Sequence, residues 1–411
     1  MQLIVVCFLI AEALLALGLL YHAKVLRSTW SWAAAVILLA AAFVLRGLAL
    51  RYETLDYQNF LAPWVEFYRS HGGLKALSYP LGNYNIPYLY FLALFSYSDL
   101  SPLYWIKLLS IFFDVLLAWA ALRLCARFTE SPVRRLACFF TVLLLPTVVL
   151  NGSLWGQCDS VYTALLLLAL ALALEDKPVR SMICLALAFG FKLQSVFVMP
   201  VFAVLMLYQK IRWKHLPVFP LIYLLLVLPA VMAGRPLLDT VTLYLHQTGS
   251  IGSGLNYNSP SIFAILWRIR ETEPASSLAI LAAFIFMLLV LAAARIWRDR
   301  LSDRAVLFAA VLFAVGIPFL LPHMHDRYFF SADILAVVLA FSLPWFCAAA
   351  PLTQFASLLG YHAYLKMRFL LPMWDGAYAL IAALLLTVFG YIHALRRGKE
   401  NAASPRGACQ N

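Results

Sequence analysis

The sequence predicts an all-α fold, a polytopic transmembrane helix bundle of about 13 spans at roughly 20 apolar residues each, with a helical outer loop after the second span. Three observations predict it. Of 411 residues, 64% are hydrophobic and only 12% charged, against about a quarter charged in an average soluble chain. The mean hydropathy is +0.86. The apolar runs are separated by short basic loops, as expected where Lys and Arg are retained on the cytoplasmic side. The net charge of +12 is therefore a topology signal, and no nucleic-acid partner is expected. Seven scattered cysteines without a C-x-x-C predict neither a disulfide framework nor a zinc site.

Taken in order, Leu3–Tyr21 is the first span. It lacks a basic leading region and a small-residue cleavage site, so it is expected to be retained. After His22, Lys24 and Arg27, Ser31–Leu50 is the second span, which places the polar stretch 51–88 outside. Pro87–Tyr97 is short and aromatic and is expected at the outer interface. Tyr104–Leu122 returns to a dense basic cluster, Arg123, Arg127, Arg134 and Arg135. Leu136–Leu150 leads out to Asn151 and Trp155–Ser160, and Ser160–Leu174 leads back. Met182–Tyr208 is interrupted at Phe191–Ser195, which predicts two partial helices. Leu216–Ala233 reaches a second outer loop, 234–260, and Ser261–Arg270 is expected to be re-entrant. Ala275–Ile296, Ala305–Leu321, Phe329–Phe346, a weaker Leu352–Leu371 and Trp374–Leu395 complete the series. Without a linker or internal repeat, residues 1–411 are expected to form a single domain.

Polar residues within apolar spans are costly and tend to serve function, and four clusters fall on the predicted outer side. Glu53 and Asp56 stand three apart, on the same side of any helix they share, with Asn59, Trp64, Tyr84 and Asn85 following. Asp56 is the expected base for a substrate hydroxyl. In the second cluster, an apolar run breaks into Trp155, Gln157 and Asp159. The Asn151-Gly-Ser sequon sits hard against a helix end and is discounted. The third cluster is Lys192 with Gln194; an ammonium there needs a carboxylate or a phosphate. The fourth is His323-Met-His325-Asp326-Arg327-Tyr328. Its histidines, at i and i+2, point apart on a helix, so His325 and Arg327 are expected to grip an anion rather than a metal. A carboxylate, several cations and aromatics at one membrane face fit chemistry on a lipid-linked phosphate donor.

Three stretches resemble the polytopic GT-C glycosyltransferases. Asp56-Tyr-Gln-Asn-Phe60 with Trp64 and Tyr84-Asn-Ile-Pro-Tyr-Leu-Tyr90 is similar to that superfamily's acidic first outer loop. Trp155-Gly-Gln-Cys-Asp-Ser160 with Phe191-Lys-Leu-Gln194 is similar to paired segments of the lipid-linked-oligosaccharide glucosyltransferases. His323–Tyr328 resembles their His-x-His-Glu-Lys stretch, and its Arg-Tyr ending looks closer to bacterial relatives of the second mannosyltransferase of GPI-anchor assembly. The chain departs from the pattern at Asp326, where Glu is commoner, at Ile86-Pro87, where one of two prolines is missing, and in an extra leading span.

The resemblance implies inverting transfer of a single hexose, mannose or glucose, from a polyprenyl-phosphate sugar to a lipid-linked or envelope glycan acceptor. The expected setting is the outer face of a bacterial inner membrane. Asp56 would be the base, and Lys192, His325 and Arg327 would hold the donor phosphate. Glu53, Asn59, Trp64, Tyr84, Asn85, Trp155, Gln157, Asp159, Gln194, His323 and Asp326 would contact the sugar or acceptor. No cofactor is implied, the sugar-bearing lipid being a substrate, and a divalent metal is left open. Partners are the donor, the acceptor and membrane lipids. The alternatives are a transporter or flippase of a lipid-linked sugar, against which stands the lack of an inverted repeat, and an oligosaccharide ligase using a lipid-diphosphate donor.

Overall fold

A computed structural model describes residues 2–82, 84–245, 254–269 and 272–398. Residues 246–253 of the second outer loop, Arg270, Lys399 and Cys409 lie outside them. The described residues are almost wholly helical. Among the described residues, seven helices are long and apolar enough to cross a membrane, or up to eight if a bent pair, Pro132–Leu143 with Pro146–Trp155, is one span. Several stretches expected to span form shorter helices, among them Asp159–Leu174, Pro178–Phe191 and Phe330–Ser342. Each falls short of the roughly 20 residues a span needs. The chain is thus a helical membrane protein with seven or more candidate spans, and length alone does not reach thirteen. Two compact units divide it: Met1–Ser195 with Lys214–Gly252, and Val196–Trp213 with Ser253–Asn411.

In the first unit, α1 (Leu3–His22) and α2 (Thr29–Ala49) lead into α3 (Ala62–Ser70) and α4 (Ile86–Phe95). Then follow α5 (Pro102–Cys125), α6 (Pro132–Leu143), α7 (Pro146–Val149), α8 (Asp159–Leu174) and α9 (Pro178–Phe191). After the excursion into the second unit come α11 (Val218–Met232) and α12 (Leu237–Val241). Proline opens many of these helices: Pro102, Pro132, Pro146 and Pro178 each stand in a first turn, where a missing N–H costs nothing. Ser28 caps α2 through a reciprocal capping box with Ser31. The unit is centred on α5, which packs against α8, α6 and α1.

One face of α5 carries Lys107, Ser110 and Asp114, at helical spacings of three and four. Each ties down a different segment. Lys107 Nζ donates to the Ala49 and Tyr52 carbonyls at 2.9 and 2.6 Å, closing the end of α2. Ser110 donates to the Gln157 carbonyl at 2.8 Å. Asp114 receives Arg46 of α2 at 3.0 Å and Ser160 of α8 at 2.5 Å. Arg46 and Asp114 are both fully buried, and Arg46 also donates to the Leu143 carbonyl at the end of α6. Pro146 cannot continue the helical ladder, and the chain bends by 43° between α6 and α7. It then enters a π-helical turn, Leu150–Trp155. A Cβ at Gly152 in this turn would stand 2.9 Å from an Asp114 carboxylate oxygen, so only glycine lets the backbone pass over that group.

The second unit contains α10 (Val201–Leu207), α13 (Ile262–Ile265), α14 (Glu273–Ile296), α15 (Asp303–Leu320), α16 (Phe330–Ser342), α17 (Ala349–Lys366) and α18 (Met373–Arg397). Its core helix α15 is almost entirely buried and packs against α10, α14, α16 and α18. Two short strands, β1 (Asn256–Tyr257) and β2 (Met324–His325), pair in parallel. The expected re-entrant stretch at Ser261 forms the four-residue α13.

Removing one partner of a buried ion pair strands the other, at a cost of about 3–5 kcal/mol. Asp114→Ala should therefore lower the thermal midpoint of the detergent-solubilised protein sharply, while Arg46→Met with Asp114→Leu costs less than the two single changes added. At the basic end of α5, Arg123 grips Glu175 with two bonds of 2.7 and 2.6 Å. This Arg123 hydrogen bonding is the main reason the Glu175 carboxyl is held down to about 2. A depressed carboxyl stabilises the fold above its unfolded pKa and loses that contribution as pH falls through the folded value. The difference in thermal midpoint between wild type and Glu175→Gln should accordingly be full at pH 6 and vanish as pH approaches 2.

Candidate active site

The helical segment that becomes α3 starts at Leu55, and after Asp56 its first turn is π-helical, Tyr57–Leu61. Thr54 stands just before it. Its hydroxyl accepts from the Tyr57 N–H at 3.4 Å and donates to the Trp155 carbonyl at 3.3 Å, joining this loop to the π-helical turn before α8. That turn ends at Gly156, whose φ of +78° suits glycine. The reversal presents Trp155 and Gln157 side by side. Trp155 Nε1 donates to Asp56 Oδ2 at 2.8 Å, and Gln157 Nε2 donates to the same oxygen at 2.9 Å. The Tyr84 hydroxyl in turn donates to Gln157 Oε1 at 2.9 Å. Because an amide presents an acceptor at one end and donors at the other, this contact orients Gln157 with its N–H toward Asp56. Trp64 packs edge-on against Tyr84, with ring centres 5.8 Å apart. Tight turning at Gly82 permits this packing, since a Cβ there would meet the Trp64 ring at 2.9 Å. Five predicted site residues, Asp56, Trp64, Tyr84, Trp155 and Gln157, are thus one connected group.

A second group lies in the same unit. Lys192 leaves the end of α9 in extended conformation, which breaks the helix where the sequence predicts an interruption. Its ammonium meets Asp159 Oδ1 at 2.5 Å, both groups being buried. Asn151 Nδ2 holds Asp159 Oδ2 at 2.8 Å. Of the two partners expected for Lys192, the structure supplies the carboxylate. Asn85 is buried and donates to the Gly190 carbonyl at 2.9 Å, so it joins the loop to α9. Glu53 and Asp56 do not share a helix, because Glu53 precedes its first residue. Glu53 instead accepts from Gln58 at 3.1 Å at the surface. Asn59 is exposed, and Gln194 is half-buried, its Oε1 without a hydrogen-bond partner among the described residues.

The histidine motif belongs to the second unit, where it is pinned by β1. Backbone N–H of His323 donates to the Leu255 carbonyl at 2.8 Å. The Nδ1 of His323 lies 2.7 Å from the Gly254 carbonyl. A carbonyl only accepts, so this nitrogen bears the proton. His323 therefore anchors the loop, with φ at +62°. The His325 ring stacks on Tyr257 at 4.7 Å between centres and 12° between planes. Asp326 is buried, and Arg327 lies 3.7 Å from it. A Cβ on Gly360 of α17 would stand 2.7 Å from the Asp326 carbonyl, so the helix seats directly against the motif's backbone.

Sequence reasoning overlooked Arg46, Lys107 and Asp114, which hold the first unit's site in place, although charges inside predicted spans are a readable signal. It also overlooked Tyr257, whose pairing with His325 joins residues far apart in sequence.

No curated protein matches the chain. The model of glycosyltransferase family 87 matches residues 83–321, more than half of the chain. The matched span holds Tyr84, Trp155, Gln157, Asp159 and Lys192; Asp56 lies 27 residues before its start (83 − 56), and His323–Arg327 lie just after its end. A family of membrane glycosyltransferases accounts for polar clusters built into so apolar a chain, and sets aside the transporter alternative. The chain belongs to glycosyltransferase family 87, a GT-C-type family of membrane glycosyltransferases.

Proposed function

We propose that the protein transfers a single hexose, mannose or glucose, from a polyprenyl-phosphate donor to a lipid-linked or envelope glycan, with inversion, at the outer face of a bacterial inner membrane. The observation that carries this reading is the pair of donors on Asp56 Oδ2. Both are neutral groups, an indole and an amide. Converging on one oxygen, they hold the carboxylate in place on the loop. In this mechanism Asp56 takes the proton of an acceptor hydroxyl as that oxygen bonds to the anomeric carbon. The bond from that carbon to the phosphate oxygen breaks, and polyprenyl phosphate leaves with the electron pair. It is a good leaving group near neutral pH, so no separate acid is needed.

His325 and Arg327 remain the candidates for the donor phosphate, whereas the Lys192 charge is already met by Asp159. Trp155 and Gln157, expected to contact sugar, are better understood as holding the base. In the second unit an apolar cavity of about 700 Å³, lined by Phe263, Trp267, Phe369, Leu371 and Trp374 among others, is of a size and character suited to hydrocarbon.

The test is transfer of radiolabelled sugar from polyprenyl-phosphate mannose and glucose in proteoliposomes. Loss of a general base costs about 10²–10⁴-fold, so Asp56→Asn should lower transfer by that much while donor binding persists. Wild-type turnover by that variant would sink the mechanism, and transfer only from a lipid-diphosphate oligosaccharide would favour the ligase. Tyr84→Phe removes the contact that orients Gln157. One neutral hydrogen bond is worth about 1 kcal/mol, so kcat should fall about fivefold with KM for the donor unchanged.

A further inference from the structure

Phe60 is an apolar ring left 49% exposed in the π-helical turn that follows Asp56. Tyr57 and Leu61 of the same turn are buried, while Asn59 and Phe60 stand on its open side. A single exposed apolar side chain needs no explanation by itself. Two observations set this one apart. First, residues 55–70 are continuously helical. Phe60 therefore stands four residues beyond Asp56 on the same side of the segment, about 6 Å along its axis. Asp56, itself half-buried, and the exposed ring border the same stretch of surface.

Second, the ring is held in place. It packs on Trp64 with 6.0 Å between centres and 50° between planes. Trp64 is buried and wedged by the close backbone at Gly82. Trp64 meets Tyr84, Tyr84 donates to Gln157, and Gln157 donates to Asp56. Asp56 and Phe60 are thus joined twice, through four residues of helix and through an unbroken circuit of side chains. Aromatic side chains are usually retained for the area they bury; this one is braced by a buried indole and still leaves about half its surface open.

We propose that Phe60 is the platform on which a pyranose ring of the acceptor stacks, so that the acceptor is a glycan and not a lipid alcohol or a peptide hydroxyl. The proposal rests on Asp56 as the base. A hydroxyl delivered to Asp56 belongs to a molecule that extends away from it, and the exposed ring lies one turn along that surface. The C–H groups on one face of a hexopyranose are apolar and weakly positive, and they complement the negative face of an aromatic ring. Such a contact leaves the sugar hydroxyls at the edge, within reach of hydrogen bonds from the exposed amides of Gln58 and Asn59. Stacking away from the reacting atom turns binding energy into orientation. It presents one hydroxyl, among several of similar reactivity, to the base.

The test uses the full-length protein in nanodiscs and reads binding separately from transfer. Saturation-transfer difference NMR is recorded with methyl α-mannopyranoside and methyl β-glucopyranoside, with sorbitol as the acyclic control. Wild type should transfer saturation to the protons on one face of a pyranoside, and far less to sorbitol. Phe60→Leu should weaken pyranoside binding roughly five- to tenfold, the range expected of an aromatic contact, whereas Phe60→Trp retains it. A merely structural apolar contact would be satisfied by leucine. Saturating polyprenyl-phosphate mannose should leave the signal in place; its displacement would put the donor sugar on the ring and overturn the proposal. A pyranoside signal no larger than that of sorbitol, or one undiminished in Phe60→Leu, would overturn the platform and leave Phe60 as a ring resting in lipid. Failure of sugar transfer with the Phe60-dependent signal intact would remove the chemistry assigned to Asp56 and leave the stacking site standing.

Discussion

The fully buried pair of Arg46 and Asp114 is the contact on which the first unit depends. A lone charge in an apolar interior is prohibitive, so α2 and α5 can be buried together only in the register that joins these two groups. That register carries other consequences. Ser160 is drawn to the free side of the carboxylate, which sets the start of α8. The Leu143 carbonyl receives Arg46, which sets the end of α6. Between those fixed points the chain runs through α7 and the π-helical turn, and it passes over Asp114 at Gly152.

The site follows from that route. Ser110, one turn from Asp114, holds the Gln157 carbonyl, and Lys107, one turn further, closes the α2 end next to Glu53 and Thr54. One stripe on α5 therefore positions both sides of the contact between Asp56 and its donors. The base proposed at Asp56 needs placement within a fraction of an ångström, supported by a surrounding shell. Here that shell is polar, buried and far more constrained than the exposed loop it serves.

Much of this was legible in the sequence. The apolar runs gave the helical membrane class, the interruption at Lys192 is a helix end, and Lys192 has the carboxylate partner that its setting demanded. Asp56, Trp155, Gln157 and Tyr84 stood out because amides, carboxylates and aromatics at helix ends are unusual in so apolar a chain. What they do to one another was not legible. Glu53 and Asp56 were paired by spacing, yet the helix begins between them. Trp155 and Gln157 looked like ligands for sugar, and only their distance from Asp56 shows that they also hold a side chain. The stripe on α5 was hidden by its own spacing, since three polar residues scattered over eight positions do not interrupt a hydropathy average. Pairing of β1 with β2 was beyond reach because two-residue strands carry no periodicity.

Both sides of the Asp56 contact are delivered by π-helical turns, Tyr57–Leu61 and Leu150–Trp155. Such a turn accommodates one residue more than an α-helix would, and each residue in an α-helix advances the direction of its side chain by about 100°. Chain length within these two turns consequently sets the aim of Asp56's neighbours as firmly as residue identity does. Over evolutionary time the flanking helices can exchange one apolar residue for another, whereas a single-codon deletion inside either turn would let it relax to an α-helix and swing the indole out of reach. Outside Phe60, Asn151, Gly152 and Trp155, whose contacts fix their identity, the two short segments should therefore drift in composition while holding their count.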